Sequence, residues 1–567
     1  MRVPKAAAGG DGAARWLGAI LLVAAVALFL AQAADLLRYV NDDAYITFRY
    51  SRFLATGRGP YFNPGEHVEG YSNLLWMLVM APVFALGGEG AVPAFAKGLG
   101  LLCGAGGLVL SFLLCRRLVE PDERGGAGPG VAGAVAAGLL AVAPSFTVNT
   151  VSGLETAFFS ALLALGVLLG LRAGEDGRWR GAGLAFAAAA LTRPEGPALF
   201  GAYAVAQAAV AWSGGPGETR SSFREIVRRL RLPILDGLIV AFATAAQYAF
   251  RWIAYDGEWL PNTYYAKAGG VGSMTSWTYV RQGALPPLLG AVGIAAAIAG
   301  WCFGRIRRRA AAPLLAVAVA GALLPLATGP DWMLGWRLIV PVLPLAACAV
   351  AMGWAGIAAR WVARPRWLAP LLLVALVPLA AWTQSDVRAA FERIVTVRAR
   401  GYAEGHRALA EWLRGGAAKP GDTVALMDIG IVGYLCDDLR VLDITGLTDR
   451  HIAKSPGTFL LKQYDPAYLF DKRPEFVVLV FAAKGDPERP PEGLSLLPWS
   501  PEENAIFRSP EFRRWYLRPA GPAKPGEPWI DDLARSLGAE RVFQHAYPDR
   551  FYLLAAFRRQ PAPRAER

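Results

Sequence analysis

The chain is poor in charged residues for its length. Only 18% of its 567 residues are Asp, Glu, Lys or Arg, whereas 54% are apolar and the mean hydropathy is +0.33. Soluble domains carry roughly 25% charged residues, so the composition excludes an ordinary soluble enzyme. It indicates a mainly α-helical polytopic membrane protein.

Cysteine is also scarce. The five cysteines are scattered, and four of them lie in or at the edge of apolar segments, where a thiol behaves as a small hydrophobic group. Only one cysteine lies in the C-terminal part, which excludes a disulfide framework there. The cysteines also lack zinc-finger spacing, and we assign no metal ligand.

The net charge of +13 does not indicate a nucleic-acid partner. Many of the 58 basic residues form short clusters between apolar runs, which is typical of the cytoplasmic loops of membrane proteins. The chain lacks a basic surface interleaved with aromatics of the kind that binds nucleic acid. We therefore predict that membrane lipid, and no nucleic acid, is a partner.

Membrane-length apolar stretches recur through residue 385. The arginine clusters between them all fall on the cytoplasmic side if residues 72–88 lie along the outer face instead of crossing. Basic residues before the first apolar run and the small-residue motif Ala31-Gln32-Ala33 also fit a cleaved signal peptide. We prefer an uncleaved first helix, because many further spans follow. The N-terminus is then inside, with about eleven transmembrane helices near residues 17–37, 94–115, 131–150, 155–171, 181–192, 196–212, 233–252, 285–304, 311–328, 337–357 and 367–383.

Residues 384–567 differ in composition from residues 1–383, with mixed charges, many prolines and no membrane-length run. We predict a transmembrane domain over 1–383 and a soluble α/β domain over 384–567, which the topology places outside the cytoplasm. The segment DTVALMDIGIVGYLCDDLRVLDITGLTD predicts strand, short helix, strand. PEFVVLV predicts a buried strand, and FQHAYPDRFYLLAAFRR a terminal hairpin.

The loop after the first span carries two adjacent acids, Asp42 and Asp43, in the segment NDDAYITFRY. Acids beside a membrane span are costly to place and usually serve a function. Asn41 or Asp42 could cap a helix beginning near Ala44, yet capping requires one acid and two are present. We predict that Asp42 or Asp43 is a catalytic base, and the residues leave the choice open.

Four further polar segments fall on the same predicted side: VNTVSGLETAFF, LTRPEG, LPNTYYAKAGG and TGPDWMLGWR. Cations there oppose the positive-inside bias and need a partner, and a phosphate suits both Arg and Lys. Arg193 and Glu195 could equally form a local pair, and Asp331 could be a turn former. The predicted donor-phosphate and substrate ligands are Arg49, Arg193, Glu195, Tyr264, Lys267, Asp331 and Arg337.

This content suits transfer of a sugar from a lipid-linked donor. A carboxylate would take the proton from the acceptor hydroxyl, and cations or a divalent metal would stabilise the phosphate leaving group. Asp428 with Gly430 and Gly433 lacks the glycine spacing of a dinucleotide site. An extracytoplasmic site also has no access to nucleotide donors, so we expect no nucleotide cofactor.

The motifs DDAYITFRY, FNPGEHVEGYSNLLW, SGLETAFF, LTRPEG, PNTYYAK and DWMLGWR occur here in an order that resembles bacterial GT-C glycosyltransferases. Within these they are most similar to the AftB-type family of terminal β-(1→2)-arabinofuranosyltransferases. The resemblance covers the membrane region and extends into DIGIVGYL and DITGLTD. It implies a polyprenyl-phosphate sugar donor and a catalytic acid in the first outer loop, which here is Asp42 or Asp43.

The resemblance further implies a GT-C fold, a place in the bacterial inner membrane, and a periplasmic C-terminal domain facing an envelope glycan or lipid acceptor. Arabinofuranose is one candidate sugar among several pentoses and hexoses. Two other functions remain open. A transporter or flippase of lipid-linked saccharides predicts charges at mid-depth within the spans. A non-catalytic GT-C scaffold in envelope or motility assembly predicts that the double acid is dispensable.

Overall fold

The computed structural model describes residues 10–121, 128–213, 223–267, 275–303, 306–331, 333–361, 368–484, 489–491, 493–494, 498, 500–519, 521, 526–547 and 550–561. The chain forms two compact units. The first, here the helical unit, comprises residues 1–37, 97–247 and 273–391. The second, the mixed unit, comprises residues 38–96, 248–272 and 392–567.

The helical unit is built mainly from apolar helices, three of which, Ala91–Leu118, Phe223–Ala254 and Ser385–Gly401, extend into the mixed unit. Their bounds are Gly10–Asp35, Ala91–Leu118, Pro129–Ala141, Pro144–Val151, Thr156–Asp176, Ala182–Thr192, Gly196–Trp212, Phe223–Ala254, Ser276–Ala284, Gly290–Phe303, Arg308–Thr328, Leu343–Trp361, Leu368–Val374, Leu376–Thr383 and Ser385–Gly401, with single 3-10 turns at Pro286–Leu288 and Val340–Val342.

Six of these helices are long and apolar enough to cross a membrane, or eight spans result if each of two bent helix pairs is one span. The predicted number of eleven is not confirmed. The predicted span at 131–150 is a pair of helices bent by 66°, with Pro144 at the start of the second. The stretch predicted to lie along the outer face contains the 14-residue helix Leu74–Gly87, whereas a crossing needs about 20 residues.

Small residues allow close helix packing in this unit. A Cβ on Gly300 would lie 2.1 Å from the carbonyl oxygen of Gly353, so the helices Gly290–Phe303 and Leu343–Trp361 meet backbone to backbone. Gly18 approaches Gly130 in the same way, with 2.8 Å between the ideal Cβ and the Gly130 carbonyl. In lipid no hydrophobic force drives helices together, and close van der Waals packing at small residues such as these glycines stabilises the helix pairs instead.

The mixed unit is built on a six-stranded sheet. Its strands are β1 (Thr423–Leu426), β2 (Arg440–Asp443), β3 (Phe476–Lys484), β4 (Gly493–Leu494), β5 (Arg541–Tyr547) and β6 (Arg550–Arg558). The order is β2-β1-β3-β6-β5, with β4 beside β3. The pairs β1–β2 and β1–β3 are parallel, whereas β3–β4, β3–β6 and β5–β6 are antiparallel. The predicted strand-helix-strand unit, the buried strand and the terminal hairpin are therefore confirmed.

The remaining helices of the mixed unit are short. They are Asp42–Ala55, Leu74–Gly87, Asn262–Lys267, Tyr402–Arg407 and Leu413–Ala417 (both π-helical), Ala408–Trp412, Ile429–Leu435, Arg450–Lys454, Ala467–Asp471, Pro501–Arg508, Pro510–Trp515 and Trp529–Leu537.

The compact units divide the chain differently from the predicted boundary at residues 383 and 384. The first loop and residues 248–272 belong with the sheet because their polar groups are satisfied there. The Asn262 amide donates to the carbonyls of Gly446 and Leu447, at 2.8 and 3.0 Å. Arg251 forms a buried ion pair with Glu69. Contacts between residues so far apart in sequence leave no local signal.

Candidate active site

The helix Asp42–Ala55, here the acidic helix, begins with the two adjacent acids. Asn41 is its cap, because its side-chain oxygen accepts a hydrogen bond from the Asp43 N–H at 3.0 Å. The capping role that Asn41 or Asp42 could have filled therefore belongs to Asn41. Both acids lie in the first helical turn, where the partial positive charge of the helix stabilises carboxylates.

Asp42 is buried and is hydrogen-bonded to the start of a second helix, Ile429–Leu435. Its two carboxylate oxygens accept hydrogen bonds from the backbone N–H groups of Gly430 and Ile431, at 2.9 and 2.7 Å. Glycine is required at 430, since a Cβ there would lie 1.9 Å from the Asp42 carbonyl oxygen. Burial raises the pKa of Asp42 to about 7, against the opposing charge of His406.

Asp43 is only half-buried at the start of the same helix. Its side chain points to a different environment from that of Asp42, because successive residues of a helix are turned by about 100°. The two acids that are equivalent in the sequence therefore differ in the structure. Asp42 has both carboxylate oxygens bonded to backbone donors, whereas Asp43 retains solvent access.

A third carboxylate, Asp428, lies at the start of the helix that Asp42 holds. Its side chain is 46% exposed, and its Oδ2 is 3.2 Å from Nε2 of the buried His406. Nδ1 of His406 is in turn 3.2 Å from Nδ1 of His545 on β5. One of the two facing nitrogens must donate, so a doubly protonated His406 beside a neutral His545 satisfies all three groups.

The two histidines are shifted in opposite directions. Burial lowers the pKa of His406, but the hydrogen bond and charge of Asp428 outweigh burial and raise that pKa above its usual value. Burial and the neighbouring His406 charge lower the pKa of His545 to about 3. Partial burial opposes ionisation of Asp428, yet the His406 hydrogen bond and charge, with the charge of Arg398, hold its pKa below the usual value. Histidine therefore supplies part of the positive charge beside these acids.

Sequence reasoning missed His406 and His545. The first lies in a π-helical turn and the second on a strand 139 residues later, so no spacing connects them. One signal was available in the composition. The chain has only four histidines, and all four lie in the mixed unit.

Arg49 does not fit the predicted role of phosphate ligand. Its side chain is fully buried, and the guanidinium donates to the carbonyls of Phe62, Cys436 and Leu439 at 2.7, 3.1 and 2.8 Å, and also to that of Gly433. Burial lowers its pKa to about 9. The structure thus gives Arg49 a positioning role, since it joins the acidic helix to the turn that follows Ile429–Leu435.

The helical unit holds Arg193, Glu195, Asp331 and Arg337. Arg193 is buried and pairs with Glu155 at 2.5 Å and Glu195 at 2.8 Å. The local pair considered from sequence is therefore present, extended by Glu155. Arg337 forms an ion pair with Asp331. We expected the outer-side cations to need a partner, for which a phosphate was one candidate, and these two arginines have carboxylate partners within the protein.

Tyr264 and Lys267 lie in the mixed unit, on the helix Asn262–Lys267. Tyr264 is 57% exposed and contacts the Tyr265 ring edge-on. The Lys267 ammonium lies 5.4 Å from the centre of the Phe459 ring, a cation–π distance. The structure therefore brings together Asp42, Asp43 and Arg49 on one helix, and Tyr264 with Lys267 on another.

No metal centre is formed by the described residues. Among them, no group of three or more His, Cys, Asp or Glu side chains has the arrangement to hold a metal ion. The Asp428–His406–His545 cluster consists of a chain of hydrogen bonds, in which both ring nitrogens of His406 and Nδ1 of His545 face another protein group.

Comparisons with known proteins agree with this architecture. Residues 394–522 match a family described only as a domain of unknown function, DUF8728. The chain is 31% identical over 256 residues to a terminal β-(1→2)-arabinofuranosyltransferase of Mycobacterium tuberculosis. That stretch covers 44% of this chain and 38% of the mycobacterial protein, so the match spans well under half of that relative.

Two crystal structures of ArnT from Cupriavidus metallidurans are similar in fold, each with a TM-score of 0.50. The structure bound to undecaprenyl phosphate is 15% identical, over 82% of this chain and 92% of ArnT. The apo structure is 14% identical, over 96% and 98%. The predicted fold class is thus confirmed: the chain has a GT-C-like fold, a polytopic helical membrane protein with a C-terminal α/β domain. The predicted resemblance to terminal arabinofuranosyltransferases is also confirmed by the sequence match.

Proposed function

We propose that the protein is an integral-membrane glycosyltransferase. It moves a sugar from a polyprenyl-phosphate donor to an envelope glycan or lipid acceptor on the extracytoplasmic side of the bacterial inner membrane. Support comes from the similarity to the arabinofuranosyltransferase and from the fold shared with ArnT bound to undecaprenyl phosphate. Arabinofuranose remains one candidate sugar.

The observation that carries the proposal is the division of labour between the two acids. Asp42 holds the backbone of Gly430 and Ile431 with both oxygens, and Asp43 beside it keeps solvent access. A base must reach the proton that it removes. We therefore assign Asp43 as the base and Asp42 as a positioning residue.

The reaction proceeds as follows. Asp43 takes the proton of an acceptor hydroxyl as that oxygen forms a bond to the anomeric carbon of the donor sugar. The bond between this carbon and the phosphate oxygen breaks, and polyprenyl phosphate leaves with the bonding electron pair. Cations stabilise the charge that develops on the leaving phosphate. Lys267, in the same unit as Asp43, remains the candidate for this role, and Tyr264 for substrate contact.

Glu195 and Asp331 then act as partners that fix arginines. The contacts of Arg193 with two carboxylates support a positioning role for that residue as well. A divalent cation would supply the same charge stabilisation as the basic residues if the enzyme uses one. The transporter and scaffold alternatives remain, and no specific contact favours either.

The test is a transfer assay with the purified full chain in lipid nanodiscs. Polyprenyl phosphates carrying arabinofuranose, other pentoses and hexoses are offered with a glycan acceptor, and release of polyprenyl phosphate is measured. We expect turnover with at least one donor. Absence of turnover with every donor, together with movement of an intact donor from one leaflet to the other in proteoliposomes, would establish the transporter instead.

A further inference from the structure

The mixed unit contains a cavity that the proposed reaction does not use. Its volume is about 650 Å³, within the range of roughly 300–1,000 Å³ that is typical of small-molecule sites. Three separate parts of the chain line it, namely residues 65–68 of the first loop, Asp256, and the segment after β2 with the residues 448–451, 454–455, 468 and 472.

The lining contains three rings, each fixed by stacking. His451 stacks on Tyr468 with 4.1 Å between ring centres and 27° between planes, and the Lys472 ammonium lies 4.4 Å from the centre of the Tyr468 ring. His67 stacks at 4.5 Å and 15° on Tyr61, which is not itself part of the lining. The faces of His451 and His67 opposite their tyrosines are flat apolar surfaces of the kind on which the C–H face of a sugar ring packs.

The charges of the lining cancel. Its acids are Glu66, Asp256 and Asp449, and its bases are Arg450, Lys454 and Lys472. The bases lie against acids: Lys472 is 2.7 Å from Asp449, Arg450 is 3.6 Å from Asp256, and Lys454 is 2.6 Å from the nearby Glu258. The lining offers no net attraction to an anion. Paired acids and bases offer donors and acceptors together, and sugar hydroxyls use both.

The walls of the cavity are held in place by further hydrogen bonds. Asp449 is buried and accepts from the Ile452 N–H at 3.0 Å and from the Tyr468 hydroxyl at 3.0 Å. Arg450 donates to the carbonyls of His67 and Tyr255, at 2.9 and 3.3 Å. The three lining segments are thereby tied to one another, which lowers the entropy lost when a ligand binds.

We propose that this cavity is a binding site for a neutral saccharide. Its chemistry suits either of two sources, a sugar unit of the acceptor glycan or the sugar of the lipid-linked donor. This physiological role rests on the proposed function, whereas the binding of a saccharide does not. The first loop carries both Asp43 and the lining residues 65–68, so a single loop would serve the base and the saccharide site.

The test measures saccharide binding by the purified full chain in nanodiscs, with isothermal titration calorimetry. The probes are a linear arabinan pentasaccharide, a linear mannopentaose and, as an anionic control of similar length, a pentagalacturonate. We expect at least one neutral probe to bind, and the anionic probe to bind no better. His451→Ala and Tyr468→Ala should weaken binding roughly tenfold or more, since tenfold corresponds to about 1.4 kcal/mol. Tyr468→Phe, which keeps the ring, should stay within a few-fold of wild type.

His451 is exposed, so its replacement leaves folding intact even if Tyr468→Ala does not. No binding of either neutral probe, or binding unchanged in His451→Ala, would overturn the proposal, as would preferential binding of pentagalacturonate. The transfer assay of His451→Ala then shows which saccharide occupies the cavity. A KM raised for the acceptor alone would identify a sugar unit of the acceptor, and a KM raised for the donor alone would identify the donor sugar. Asp43→Asn should retain saccharide binding. If wild type binds saccharide in the His451-dependent manner but transfers nothing, the proposed function fails and the saccharide site stands.

Discussion

Two clusters of charged side chains, one in each unit, are built differently. In the helical unit, Arg193 is fixed between Glu155 and Glu195, and Arg337 pairs with Asp331. In the mixed unit, Asp42, Asp43 and Asp428 lie on two helix starts that meet, and His406 is hydrogen-bonded to Asp428. An arginine paired with carboxylates stays charged near neutral pH, whereas histidine titrates there. The first cluster is therefore suited to holding structure, and the second to moving a proton.

The largest effect on stability is expected in the arginine cluster. Arg193→Ala removes the cation that pairs with the buried Glu155 and with Glu195, which costs on the order of 3–5 kcal/mol. The expected result is a large fall in the thermal midpoint of the protein in detergent. The midpoint is measured by light scattering, or by loss of the monodisperse peak in size-exclusion chromatography after heating. Arg116→Ala, at an exposed position of the same unit, is the matched control and should change little. A near-normal midpoint for Arg193→Ala would show that the cluster is not a structural anchor.

An intermediate effect is expected for the positioning acid. Asp42→Asn places an amide N–H₂ against the backbone N–H of Gly430 or Ile431, so one buried donor loses its acceptor at a cost of roughly 1–3 kcal/mol. The thermal midpoint should fall by less than in Arg193→Ala. The control is Asp438→Asn, which changes an exposed acid shortly after the helix Ile429–Leu435. An Asp42→Asn protein as stable as wild type would contradict the role of Asp42 in holding this helix.

The smallest expected effect is a pH dependence of stability that distinguishes the histidine cluster of His406 and His545 from the arginine cluster of Arg193. The folded-state pKa of His406 is raised, so this group stabilises the fold when protonated and loses that contribution as pH rises through its folded pKa. His545, with its pKa lowered to about 3, acts in the opposite sense and costs stability below its unfolded value near 6.5.

His406→Gln should therefore lower the thermal midpoint more at pH 6.5 than at pH 8.5. Arg193→Lys, which keeps the cation, should have the same effect at both pH values. Equal effects of His406→Gln at the two pH values would indicate that His406 is neutral in the folded protein, with no proton to share with Asp428.

Much of the fold is predictable from the sequence, and the reasons are local. The strands β1, β3 and β6 are short apolar runs between turn residues, and the double acid stands out beside an apolar helix. The difference between Asp42 and Asp43 is not local. It depends on backbone N–H groups 388 and 389 residues away. From the sequence, Arg49 likewise looks like a cation available to bind a ligand. Its carbonyl partners, as far as 390 residues away in sequence, are visible only in the folded structure. The long-range contacts of the first loop also explain why the compact units depart from the predicted boundary.

The assignment of Asp43 as the base is tested by single-turnover transfer with Asp43→Asn, Asp42→Asn and Asp438→Asn, at equal amounts of folded protein and saturating donor. We predict that Asp43→Asn slows transfer by roughly 10²–10⁴-fold, the usual contribution of a general base, with a smaller fall in thermal midpoint than Asp42→Asn. Asp42→Asn should lose stability and part of its rate, and Asp438→Asn neither. Transfer at the wild-type rate by Asp43→Asn would contradict the assignment.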